Sequence, residues 1–345
     1  VVWEEDATCN GRRVVKFARS VDVGSTWQGP VNVSYCYSYD LAGADATPVV
    51  AALSSRVAVV WKSTTCLVVK MDPATNRTPN PDVFCPVPGP LSTAYERPSL
   101  VGGSGMFKLA YKDISGHVMY RQFMPNLDFT VSFGNPVDVS NPYSATNPSI
   151  SSTVDQRIFV SWEADVTGGE QEGGSSGHHV FVTEKDPSTG WRAPVEFVHG
   201  SHLETNSTVC VDEDLDQAYV IWECSNHISS VSRTMSSLTW RRVVDMGPGY
   251  SPSSSASGSP KIIWTSGTSA PYMINTSSVH PPHFQSENQS ATATGSQRKL
   301  VRGTSGTLYL IYDSQGDIWF TKSIDDGLEF PPCLRQDFLV LKWTF

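Results

Sequence analysis

Seven times along the chain an alternating apolar run ends in a tryptophan or tyrosine: VVW at Trp3, VAVVW at Trp61, FKLAY at Tyr111, IFVSW at Trp162, AYVIW at Trp222, KIIW at Trp264 and LYLIY at Tyr312. Successive markers stand between 42 and 60 residues apart. After each comes a short polar loop and a second alternating segment, such as HVMYRQF from His117 or HVFVTEK from His179. Before most of them lies another segment with a recurrent opening: TPVVAAL from Thr47, RPSLVGG from Arg97, NPSISST from Asn147, NSTVCVD from Asn206 and SPSSSAS from Ser251. Side chains alternate across a strand, so a period of two reads as strands and each group reads as a small antiparallel sheet. Groups of about four strands repeated at this interval predict an all-β, seven-bladed β-propeller of four-stranded antiparallel blades.

The repeats fall in one domain, with approximate blades at 1–40, 47–92, 97–143, 147–200, 206–246, 251–292 and 298–335. Val1 opens directly on a marker-bearing strand, which leaves blade one short of an inner strand. The segment 336–345, with a strand pattern over Phe338–Phe345, is expected to supply it and close the ring, leaving no inner edge unpaired. Donation of that strand to a neighbouring subunit would instead build a filament. Cys333, left without a repeat-equivalent partner, is either a buried thiol or a link between subunits.

Composition narrows the function classes. The net charge of −9, with no run of Lys or Arg, argues against a nucleic-acid partner, which would need a basic face. No apolar stretch approaches the roughly 18 residues of a membrane span. Seven cysteines fit an oxidising compartment. Cys9 with Cys36 and Cys66 with Cys85 occupy nearly equivalent positions in consecutive repeats, so these pairs are the expected disulfides. Cys210 with Cys224 is a third candidate between adjacent strands. Sequons stand at Asn32, Asn76, Asn206, Asn275 and Asn288, and the chain begins at Val1, as after removal of a leader. These features predict a secreted or cell-surface glycoprotein.

The octet SVDVGSTW joins the third and fourth strands of blade one, with Ser20, Asp22, Gly24 and Trp27 at its key positions. Looser copies carry Asp186 and Trp191 in blade four and Ser323, Asp325 and Gly327 in blade seven, and blade five retains Thr239-Trp240. An Asp can accept hydrogen bonds from turn N–H groups, a Gly can take positive φ, and a Trp can pack between sheets. Copies in several blades make this a structural device. The pattern resembles the Asp box, or BNR repeat, of the sialidase-like propellers, and the resemblance extends over all seven repeats. It implies the propeller fold and, because such boxes occur in hydrolases, lyases, lectins, receptors and assembly factors, no single activity.

In such a fold, function is expected on the face formed by the inner-strand openings and the loops between second and third strands. Residues directly after the markers are Glu4, Lys62, Lys112, Glu163, Glu223, Thr265 and Asp313, and the openings add Glu96, Arg97, Asn147, Glu204, Asn206 and Arg298. The resemblance implies that a true sialidase would need three arginines, a Tyr nucleophile with its Glu, and an Asp acid/base. Only Arg97 and Arg298 offer themselves here, which argues against that activity. Glu163 and Glu223 are a candidate pair for another glycoside hydrolase or lyase, or simply solvated rim charges. The glycine-rich loop from Glu163 ends in His178-His179, but no CxxC or HxxxH spacing is present, and neither a metal nor a cofactor is expected. The sequence therefore predicts a non-catalytic extracellular binding or assembly module whose partner is a carbohydrate or another extracellular protein. A carbohydrate-active enzyme and a self-assembling structural subunit are the alternatives.

Overall fold

The computed structural model describes residues 1–9, 12–20, 27–34, 47–53, 56–63, 67–72, 82–84, 96–126, 131–166, 177–197, 203–254, 262–267, 272–276, 284–286, 300–302, 307–314 and 317–323. Every regular element among them is a β-strand, and the strands form seven antiparallel sheets in chain order. The fourth sheet shows the pattern: Ala145–Ser152, Ile158–Val166 and Gly177–Asp186 run side by side, with Gly190–Trp191 and Val195–Phe197 both pairing with the third strand. The fifth is Glu204–Asp212, Gln217–Cys224, His227–Thr234 and Val244–Pro248. In the first sheet the strand carrying Trp3, Val2–Cys9, pairs with Arg12–Arg19 and then Gln28–Asn32. The segment 336–345 lies outside the described residues, as do Asp22, Gly24, Arg298, Asp325, Gly327, Asn76, Asn288, Cys36, Cys66, Cys85 and Cys333.

Cores lie between consecutive sheets, and strand alternation divides each second strand between two of them. Trp61 and Val59 pack with Val2 and Phe17 of the first sheet, whereas Val60 and Ala58 pack with Leu109 and Phe123 of the third. Trp162 and Val160 join Tyr120 of the third sheet, whereas Phe159 joins Val209 and Trp222 of the fifth. Five of the seven marker aromatics turn back to the preceding sheet: Trp61 to the first, Tyr111 to the second, Trp162 to the third, Trp222 to the fourth and Trp264 to the fifth. Because both faces of the second strand are covered, it reads as a continuous apolar run rather than a clean alternation. Trp61, Trp162 and Trp222 are wholly buried.

A belt of hydroxyls ties the inner strands together. Ser99 Oγ accepts from the N–H of Ile150 in the next sheet at 3.1 Å, and Ser149 Oγ accepts from Val209 N–H at 3.2 Å. Thr208 Oγ1 meets Ser254 Oγ at 2.9 Å. The Ser and Thr richness of the inner strands is thus a way of satisfying backbone donors at the innermost contact between sheets, where a larger apolar side chain would leave them unpaired.

The turn after the third strand of sheet four has the geometry its composition suggests. Asp186 Oδ1 accepts from Ser188 N–H at 2.9 Å and Thr189 N–H at 3.2 Å, Gly190 takes φ +85°, and Trp191 meets Tyr120 of the third sheet edge-on with ring centroids 5.0 Å apart. Hydrogen bonds from the Ser188 hydroxyl and backbone hold the Asp186 carboxyl well below the usual carboxylate range. Ser323 is wholly buried, and Ser20 and Trp27 are half-buried.

One expectation is corrected. Cys210 and Cys224 lie in neighbouring strands but are not bonded to each other. Register places Cys210 opposite Tyr219 and Cys224 opposite Glu204, at different heights on the hairpin, and a disulfide needs cross-strand proximity. Cys210 sits in the core between the fifth and sixth sheets, whereas Cys224 packs in the core between the fourth and fifth. Burial, with Glu204 as a further cause, pushes the Cys224 thiol up. After unfolding without reductant, a maleimide should label both cysteines. Recovery of a Cys210–Cys224 linked peptide by mass spectrometry would refute this placement.

Candidate functional site

The face predicted to carry function is built on a repeated backbone distortion. Thr47, Arg97, Asn147, Asn206 and Ser251, the opening residues of five inner strands, all have positive φ, from 41° to 56°. The ladder slips immediately around four of them, between Glu96 and Ser99, Thr146 and Ser149, Thr205 and Thr208, and Tyr250 and Ser253. Left-handed backbone in Thr and Arg costs on the order of 1–3 kcal/mol and persists only where surroundings enforce it. The distortion is a bulge that aims the backbone N–H groups of each inner strand sideways, toward the preceding sheet.

What they meet is the carboxylate after the marker aromatic. Alternation turns the marker back and the following residue forward. Glu4 Oε1 accepts from Thr47 N–H of the second sheet at 2.5 Å. Glu163 Oε1 accepts from Ser207 N–H of the fifth sheet at 2.8 Å, and Glu223 Oε2 accepts from Ser251 N–H of the sixth at 3.0 Å. Proline decides which N–H is used. Thr47 and Ser251 precede prolines and donate their own N–H, whereas Ser207 stands where the proline would be and donates instead. The third sheet carries Lys112 at this position, which cannot accept; there Arg97 donates from its guanidinium to Asn147 Oδ1 of the next sheet.

Glu163 is the most heavily engaged of these acids. It is wholly buried, and its Oε2 also receives Asn147 Nδ2 at 2.5 Å and contacts His178 Nε2 at 3.3 Å. His178 Nδ1 lies 2.8 Å from Asp165. The hydrogen bond to Glu163 is the largest influence on His178, partial burial opposes it, and Asp165 adds to it; the imidazole is raised to about 9. His178 is therefore a fixed imidazolium at neutral pH. Asn206 Nδ2 donates to Glu223 at 3.1 Å, His179 Nδ1 lies 2.5 Å from Glu196, and Glu204 Oε2 accepts from Val180 N–H of the fourth sheet at 3.3 Å. Among the described residues no three His, Cys, Asp or Glu side chains gather as metal ligands would.

Of the two acids suggested as a hydrolytic pair, Glu163 accepts at both oxygens, from Ser207 N–H and Asn147 Nδ2, and Glu223 accepts from Ser251 N–H and Asn206 Nδ2. Of the sequons, Asn32 is exposed, while the Nδ2 of Asn206 donates to Glu223 and that of Asn275 to Ser266 at 2.6 Å.

Sequence reasoning missed a second feature. Between the fourth and fifth sheets, toward their opposite end, lies a cavity of about 250 Å³ lined by Phe159, Glu184, Arg192, Arg233, Leu238 and Trp240 among others. Glu184, 4% exposed, is met by Arg233 Nη2 at 2.5 Å, Arg192 Nε at 3.1 Å and Arg157 Nη1 at 3.4 Å. The Arg233 guanidinium lies 5.4 Å from the Phe159 ring centroid and 5.1 Å from that of Trp240. Thr239-Trp240 stood out in the sequence only as a remnant turn, and nothing local linked it to Glu184.

No protein-family model matches the chain, and no curated protein matches it. Similar solved structures are β-propeller proteins. A mutant of AofleA from Arthrobotrys oligospora is 10% identical, with a TM-score of 0.51 over 83% of this chain and 85% of that one. A protein of unknown function from Dyadobacter fermentans is 11% identical at a TM-score of 0.49, covering 80% and 93% of the two chains. TolB from Acinetobacter baumannii is 12% identical at 0.46, covering 79% and 62%. The likeness is one of fold alone.

Two expectations follow. Glu163→Ala, by leaving Ser207 N–H, Asn147 and His178 without their acceptor, should destabilise the chain by about 3–5 kcal/mol in urea denaturation. A loss below about 1 kcal/mol would refute the tie. His178 is raised on folding, so its contribution is fully present below its unfolded pKa near 6.5 and is lost as pH rises toward 9. The urea midpoint of the wild type should decline across that window relative to His178→Gln, and parallel profiles would refute the assignment.

Proposed function

We propose that the chain is a non-catalytic extracellular binding module, a seven-bladed propeller of Asp-box type closed by segment 336–345, with carbohydrate as its ligand. The observation that carries this reading is the commitment of the face acids: Glu4, Glu163 and Glu223 each hold the next sheet by a backbone N–H. Carboxylates held in this way are not free for the acid and base work that hydrolysis or elimination would ask of them. The ring count rests on the seven repeats and the seven described sheets, and closure on the strand pattern over Phe338–Phe345. Secretion rests on the sequons and on the proposed Cys9–Cys36 and Cys66–Cys85 bridges.

On a glycan array the secreted, full-length chain should retain at least one glycan class, and prolonged incubation with that glycan should release no shorter or unsaturated product by mass spectrometry. Turnover that vanishes in Glu163→Gln or Glu223→Gln would replace this reading with the enzymatic one.

A further inference from the structure

The geometry points to the cavity between the fourth and fifth sheets as a site for one carboxylate-bearing pyranose ring, such as a hexuronic acid residue; this deepens, and rests on, the carbohydrate reading above. Four observations converge there. The volume of about 250 Å³ lies below the usual range for drug-sized ligands and suits a single ring rather than an extended chain. Its lining is mostly apolar and includes the half-buried Trp240, whose indole suits the C–H face of a sugar. Its rim carries Val195 and Leu238, 39% and 63% exposed, two of the few large apolar side chains left open to solvent among the described residues. At its mouth stands Arg192, whose side chain is a third exposed.

That arginine selects the ligand. In a chain of net charge −9, three guanidinium groups gather on Glu184, with Asp155 and Asp186 each beside one of them. Arg233 is 3% exposed and also donates to Ser237 O, so it is fully committed to the wall. Arg157 donates to Met235 O at 2.5 Å and lies 3.4 Å from Asp155. Arg192 is different: its side chain is 33% exposed at the mouth, and its contacts to Glu184 and, at 3.4 Å, to Asp186 leave part of the fork turned outward. A carboxylate on the ligand would be received by the outward part of the Arg192 fork. A neutral ring would gain the apolar contact but leave the guanidinium to water.

The test titrates the full chain with sodium glucuronate, glucose and sodium acetate at equal ionic strength, followed by NMR, in wild type, Trp240→Ala, Arg192→Gln and Arg192→Lys. Glucuronate should bind saturably and at least about tenfold more tightly than glucose or acetate, about 1.4 kcal/mol. Trp240→Ala should abolish binding, Arg192→Gln should erase the preference, and Arg192→Lys, which keeps the charge, should retain most of it. Thermal melts establish that each variant folds. Equal binding of glucose, or equal binding of acetate, overturns the proposal by removing the carboxylate or the ring. Should neutral glycans bind on an array undiminished by Trp240→Ala, this site falls while the carbohydrate reading stands. Should neither glucuronate nor any glycan bind, both fall.

Discussion

A carboxylate reaching forward to the backbone of the next sheet organises this molecule. Five inner strands open in left-handed backbone, and at three of them an N–H group beside that distortion turns toward the neighbour. An N–H so exposed at a partly buried seam must find an acceptor. Glu4, Glu163 and Glu223 supply it. The strain and the tie explain one another, since without the acceptor the bulge would relax into ordinary pairing and the sheet edges would lose their alignment.

The tie acts together with two other layers of contact. The marker aromatic on the same strand turns the opposite way, into the preceding core, so adjacent residues on one strand grip two different neighbours. Closer to the innermost contact, Ser99, Ser149 and Thr208 satisfy donors and hydroxyls of the following sheet. Apolar packing supplies most of the stabilisation, while the polar contacts fix the lateral position of one sheet against the next.

The repeat itself was legible because period-two alternation and the marker aromatics are properties of consecutive residues. Trp61, Trp162 and Trp222 stood out as markers of the repeat, and the structure buries all three. The roles of Glu163 and Glu223 were not legible: their repeat equivalence was visible, but the direction of their lone pairs depends on positive φ at Asn147, Asn206 and Ser251, which residue identity barely hints at. Cys210 and Cys224 misled because flanking two neighbouring strands differs from standing opposite one another, and only register settles that. The cavity escaped notice because Phe159, Glu184 and Trp240 come from three segments of two sheets, and no single stretch carries their conjunction.

The choice of a main-chain donor has a further consequence. In the tie itself the receiving sheet contributes only a peptide N–H, at Thr47, Ser207 and Ser251. That donor survives a change of the side chain beside it, proline excepted, provided the preceding strand keeps its acid. The third sheet, one of those whose marker is followed by no acid, is instructive: Lys112 stands there and the joint passes to side chains on both partners, Arg97 and Asn147. There the two neighbours must change in concert. The seams tied by Glu4, Glu163 and Glu223 can drift one side at a time, and that one cannot.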